Sequence, residues 1–123
     1  MGQRGAPRGK EAKTMKFEPI REEHFTHKTD GTGQVAVFFE KAKLLFARLD
    51  IEPGCSLNRD IHPDGEEGYY VLSGELTVTL PEEQVVRTVK PGEVFFIPQG
   101  VYHIAANTGS EAVRVIAAIG GHA

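Results

Sequence analysis

Turn signals cut this chain into short pieces. Past Gln34 they recur at Glu52-Pro53-Gly54, Pro63-Asp64-Gly65, Ser73-Gly74, Pro81-Glu82-Glu83, Pro91-Gly92, Pro98-Gln99-Gly100 and Thr108-Gly109. The apolar-rich runs between them are 34–39, 44–51, 55–62, 69–72, 76–80, 84–89, 94–97, 102–106 and 112–119. Proline and glycine at this pitch stop any helix that starts, while runs of this length suit strands. Short strands separated by such turns predict an all-β sandwich or barrel. One helical turn is expected before them, within 21–27.

A chain of 123 residues has room for one core and not for two. Residues 1–14 differ from the rest. Arg4, Arg8, Lys10 and Lys13 stand against Glu11, and no aromatic or branched apolar residue accompanies them. Such a segment cannot bury enough surface to offset its ordering entropy, so it reads as a disordered tail or leader. Residues 15–123 read as a single domain. The tail's net +3 leaves −6 on those residues in a chain at −3, which argues against a nucleic-acid partner. No apolar run spans a bilayer, so no membrane partner is expected, and the first residues lack a signal-peptide core. One cysteine, Cys55, fits a reducing, cytoplasmic home and reads as a small packed hydrophobe.

Strand alternation assigns faces. Leu45, Ala47, Leu49 and Ile51 share one side of their run, and Leu76, Val78 and Leu80 share one side of theirs. If Ser73-Gly74 is a two-residue hairpin turn, Val71 opposes Leu76 and Tyr69 opposes Val78, so Glu67, Tyr69 and Val71 point inward. If 63–66 is a four-residue hairpin loop, His62 opposes Glu67 and Asp60 opposes Tyr69, so Asp60 and His62 point inward too. An imidazole buried between carboxylates needs compensation, which a metal ion supplies.

Gly54-x5-Asp60-x-His62-x4-Glu67-x6-Gly74 resembles the first motif of the cupin family, where Gly is followed by His-x-His, Glu and Gly. Gly92-x5-Pro98-x-Gly100-x2-His103-x3-Asn107 is similar to the second motif at every fixed position. The two cover about half of the chain. The resemblance implies a double-stranded β-helix or jelly-roll barrel, often a homodimer, with one divalent metal inside. His62, Glu67 and His103 align with three of the family's four ligands. The position of the first histidine holds Asp60. Two imidazoles and a carboxylate suit Fe, Mn, Ni, Co or Zn, and a second carboxylate favours Mn or Fe. Asp60 either ligates, acts through water, or handles a proton. Tyr69 is a second candidate for proton handling, or a core tyrosine whose hydroxyl is satisfied. Asn107 and the motif glycines read as structural, Arg59 as outward-facing, and His24, His27 and His122 as surface residues.

Two functions fit these residues. One is a mononuclear metalloenzyme of the dioxygenase, isomerase, lyase or decarboxylase class, acting on a small oxygen-rich metabolite. The other is a non-catalytic sugar or organic-acid binder whose metal site Asp60 has weakened. Independently of either, removing residues 1–14 is expected to leave the melting temperature unchanged in a thermal scan. A drop of several degrees would mean that the segment docks on the domain.

Overall fold

The computed structural model describes residues 17–121. The expected tail over 1–14 and the position of His122 lie outside the described residues. Among the described residues nine strands form: β1 (Thr26–Asp30), β2 (Gly33–Lys41), β3 (Leu44–Ile51), β4 (Glu67–Ser73), β5 (Leu76–Leu80), β6 (Val85–Val89), β7 (Val94–Ile97), β8 (Ile104–Ala106) and β9 (Val113–Gly120). The expected helical turn is a short 3-10 turn, Glu22–His24, and a second follows β5 at Pro81–Glu83. All pairing is antiparallel, in a six-stranded sheet ordered β1-β2-β3-β9-β4-β7 and a three-stranded sheet ordered β6-β5-β8. This is the two-sheet jelly roll that the sequence suggested. Among the described residues no helix is long and apolar enough to cross a membrane.

Both sheets turn their alternating apolar faces onto one core. Ile51, Val71, Leu76, Val78 and Val115 are fully buried there. Alternation works as expected in β3 and β5, where every second residue is buried. At the other end of the large sheet, Phe38 stacks on Phe25 at 4.7 Å and on Phe46 at 5.3 Å, which ties the first 3-10 turn to β2 and β3.

Both expected hairpins are corrected. β4 pairs with β7 and β9, whereas β5 pairs with β6 and β8, so Ser73-Gly74 carries the chain from one sheet to the other. Gly74 has φ of +73°, and a Cβ there would meet the Ala112 carbonyl oxygen at 2.4 Å, so the corner needs glycine. Glu67 opposes Ile97 and Ile119, not His62. Instead the 55–62 segment runs antiparallel to β8. It forms isolated bridges Ser56–Ala106 and Asp60–His103 and is not a regular strand. The inward facing of Glu67, Tyr69 and Val71 nonetheless holds, because a residue facing the core keeps its parity when the chain changes sheet.

β1 is an addition to the expected strands. Its residues Thr-His-Lys-Thr-Asp are mostly exposed, so it carries no apolar alternation. The Asp30-Gly31 step is the local sign of its hairpin with β2, and Gly31 adopts φ of +60°.

Asn107 locks the turn after β8. Its amide donates to the Ile51 carbonyl at 2.9 Å and the Glu111 carbonyl at 2.7 Å, while its Oδ1 accepts from the Gly109 N–H at 2.9 Å. It is 1% exposed, so water cannot replace these bonds. Asn107→Ala is expected to destabilise the fold by about 2–3 kcal/mol, read as a lower urea midpoint at unchanged slope. On the outer face, Asp50 accepts from Arg114 Nε at 2.7 Å and Arg48 Nε at 2.9 Å. Partial burial pushes its carboxyl up, but the two guanidinium hydrogen bonds and charges outweigh this and hold it below 3.8. Its contribution is therefore full above the ordinary carboxylate value and disappears as pH falls through the lowered one. Asp50→Asn is expected to cost at most about 1 kcal/mol at neutral pH, since the group is partly exposed. That difference should shrink in urea melts run below pH 3.8.

Candidate metal centre

Side chains from both sheets meet at one end of the core. Backbone bonds in both directions pair Asp60 with His103, His103 N–H to Asp60 O at 2.9 Å and Asp60 N–H to His103 O at 3.0 Å. Directly opposed residues share a face, so Asp60 and His103 point the same way, and His62, two residues on, follows. The Pro98-Gln99-Gly100 turn braces this segment: Gly100 N–H donates to His62 O at 3.0 Å and Gln99 Nε2 to Pro63 O at 2.7 Å. Glu67 and Tyr69 arrive from β4 in the other sheet.

The two imidazoles converge on one carboxylate oxygen. His62 Nε2 and His103 Nε2 each lie 3.0 Å from Glu67 Oε1. Asp60 Oδ2 lies 3.7 Å from His62 Nε2. Glu67 and His103 are 5% and 3% exposed, His62 is partly buried, and Asp60 is exposed. The proton positions follow from neighbours. His103 Nδ1 sits 3.0 Å from the Val101 carbonyl, an arrangement that places its proton on Nδ1 and leaves Nε2 to face the cluster.

Electrostatics tie the group together. Burial pushes the Glu67 carboxyl up, but hydrogen bonds from His103 and His62 and their charge hold it below its ordinary range. The hydrogen bond to Glu67 lifts His62 above 6.5 against the pull of burial. Burial pulls His103 down, and its bonds to Glu67 and to the Val101 carbonyl outweigh that and raise it. Tyr69 is 2% exposed, and burial, then the charges of Glu67 and Asp60, push its phenol well above 10. A phenol so placed keeps its proton at neutral pH and is able to donate a hydrogen bond but not to act as a base.

The donor set fits a divalent ion. The ligand atoms of Asp60, His62 and His103 all lie within 4.8 Å of one another. Bonds of about 2.1 Å put adjacent ligands of an octahedral ion about 3 Å apart and opposite ones about 4.2 Å apart. The 3.0 Å separations of Glu67 Oε1 from both imidazoles match the adjacent spacing. All five residues singled out in the sequence, Asp60, His62, Glu67, Tyr69 and His103, line a cavity of about 320 Å³.

A cupin domain model matches residues 47–119, more than half of the chain. The chain belongs to the cupin family. Among curated relatives, this cupin is similar to germin-like protein subfamily 2 member 2 of Arabidopsis thaliana, at 39% identity over 75 residues, 58% of this chain and 34% of that protein. It is also similar to the rhicadhesin receptor of Pisum sativum, at 36% identity over 74 residues, 58% of this chain and 34% of that protein. The cupin thus spans about a third of the length of these curated relatives. A predicted oxalate decarboxylase from Thermotoga maritima matches in structure with a TM-score of 0.71 at 28% identity, covering 84% of this cupin and 98% of that chain. A structure described for the mechanism of oxalate oxidase matches with a TM-score of 0.55 at 31% identity, covering 63% of this cupin and 42% of that chain.

The remaining residues fall outside the centre. Arg59 faces outward, with its guanidinium 4.2 Å over the Tyr102 ring and 3.2 Å from Glu82. His24 and His27 are exposed, and Cys55 is half-buried against the core. Sequence reasoning missed the contribution of β1 and the neighbouring loop to the cavity, where Lys28, Asp30 and Asn58 form part of the lining. The Asp30-Gly31 turn was the available signal for β1, but nothing local says that it folds over the cavity. Tyr69→Phe is expected to lower stability by about 1 kcal/mol in urea melts while leaving metal content unchanged by elemental analysis.

Proposed function

We propose that this cupin is a metal-dependent enzyme of the decarboxylase class, taking a small carboxylic acid whose oxygens chelate the metal. One observation carries the reading: His62 Nε2 and His103 Nε2 converge on the same Glu67 oxygen, with Asp60 beside them. Two imidazoles and carboxylates form the donor set of a hard-to-borderline divalent ion with open positions. A carboxylate substrate draws support from the similarity, at 28% and 31% identity, to a predicted oxalate decarboxylase and an oxalate oxidase. His62, Glu67 and His103 would hold the ion, with Asp60 as a fourth ligand or a proton handler. The ion would supply Lewis acidity, drawing electron density from the chelated oxygens.

The chain's own residues would do the rest. The apolar side of the cavity would limit water around a bound substrate and strengthen the charge interactions there. Tyr69, protonated and buried, can hold a substrate oxygen or orient Glu67. Asp60 is exposed and reaches solvent, so it can exchange a proton that the buried Glu67 cannot. A second reading, a non-catalytic binder of sugars or organic acids, is favoured by one feature. Asp60 Oδ1 accepts from the Ile61 N–H at 2.8 Å, so part of its carboxylate is already engaged.

Elemental analysis of protein purified without tag or chelator tests the metal. Near-stoichiometric Mn, Fe, Co, Ni or Zn, lost in His103→Ala, is the expected result; no metal, even after reconstitution, would leave the binder reading. Asp60→Ala then divides the roles. Metal retained with turnover lost makes Asp60 the proton handler, metal lost makes it a ligand, and no change removes it from the site. Metal content after dialysis is expected to fall as pH is lowered, because protons compete for the imidazoles. Both histidines hold their protons more tightly than usual, so proton competition weakens the apparent affinity from a higher pH than it would at free imidazoles.

A further inference from the structure

Oxalate is all head: each of its non-hydrogen atoms belongs to a carboxyl group. The cavity is not. At about 320 Å³ it has the volume of roughly ten liquid waters. The polar cluster accounts for one part of the lining. Val35, Val37, Leu45, Leu49, Leu57 and Ile119 make up much of the rest, and none has a polar side-chain atom. Ala47 of β3 stands directly opposite Ala117 of β9, and Ala117 stands directly opposite Tyr69 of β4. Both alanines line the cavity and are almost completely buried. The space exists because two adjacent strands place methyl groups where their neighbours along the same face carry branched chains. A diacid without a carbon skeleton would leave this apolar side uncovered, while the exposed Lys28, Glu40 and Asn58 line the same cavity.

We propose that the substrate is a carboxylic acid with a hydrocarbon body of several carbons, its head at the His62–Glu67–His103 cluster and its body against the wall around Ala47 and Ala117. This rests on the metal-dependent reading above for the head and on the cavity alone for the body. The exposed Lys28 and Asn58 also line the cavity, so it reaches the surface and gives such a molecule a way in. Ala117 and Ala47 thereby determine chain length, as small residues do wherever they leave room for a ligand.

A homologous series of straight-chain 2-oxo acids, from glyoxylate to 2-oxooctanoate, tests this by calorimetric titration. It is run on the metal-loaded full chain and again after chelation. Affinity is expected to rise about four-fold per added methylene until the wall is covered, and then to level off. Ala117→Leu should abolish that rise with metal content unchanged; Ala47→Val is the milder variant if the leucine does not fold. A flat or falling series in metal-loaded wild-type protein overturns the proposal. If the chain takes up no metal but the rise per methylene persists, the metal reading fails and the cavity assignment stands. If chelation weakens every member alike and the rise survives, both hold.

Discussion

A carboxylate in the interior must be compensated, and at Glu67 the compensation comes from two imidazoles carried beside β8 at the edge of the opposite sheet. Glu67 is 5% exposed and receives both His62 and His103 at 3.0 Å. An isolated charge there would cost several kcal/mol. The two sheets must therefore hold a fixed spacing at this end, since a shift of even an ångström would strand the charge. The devices around the cluster serve that spacing. The Asp60–His103 bridge sets one side, the Pro98-Gln99-Gly100 turn braces the segment carrying His62, and Asn107 pins the loop from β8 toward β9 to the end of β3.

The same compensation makes the site ready for a cation. The imidazole nitrogens and the Glu67 oxygen already stand at the spacing that adjacent ligands of one ion adopt. His103 directs its Nδ1 proton to the Val101 carbonyl, so the proton it shares with Glu67 is the one on Nε2, the atom a metal would take. Little reorganisation is needed when the protons between these groups are exchanged for a metal. The apolar wall beside the cluster belongs to the core but leaves space unfilled. An open volume lined by Leu45, Leu49 and Ile119 forfeits packing that a larger side chain at Ala47 or Ala117 would supply.

The sequence was legible where chemistry and local geometry coincide. His62, Glu67 and His103 stood out because turn glycines and prolines accompany them at fixed spacing. The inward facing of Glu67, Tyr69 and Val71 followed from alternation. The pairing did not follow. Ser73-Gly74 reads as a hairpin turn, yet it is a corner between sheets, and 55–62 reads as a strand leading into β4, yet it lies along β8. Both errors preserve sidedness, since parity along a strand is the same whichever sheet the next strand joins. β1 was illegible for another reason: it covers the cavity with polar residues and buries little of itself.

Composition, turn spacing and alternation by themselves determined an all-β domain and residues that face its core, and the resemblance to the two cupin motifs added the set of candidate metal ligands. These are properties of single strands and single turns, written within a few residues of one another. The tertiary structure decided which strands are neighbours, and so which side chains touch. It set Asp60 opposite His103, brought Glu67 across from the other sheet, and placed Ala47 beside Ala117 to open the cavity. Those contacts join residues dozens of positions apart. They are selected by the packing of two sheets as a whole, which no local pattern encodes.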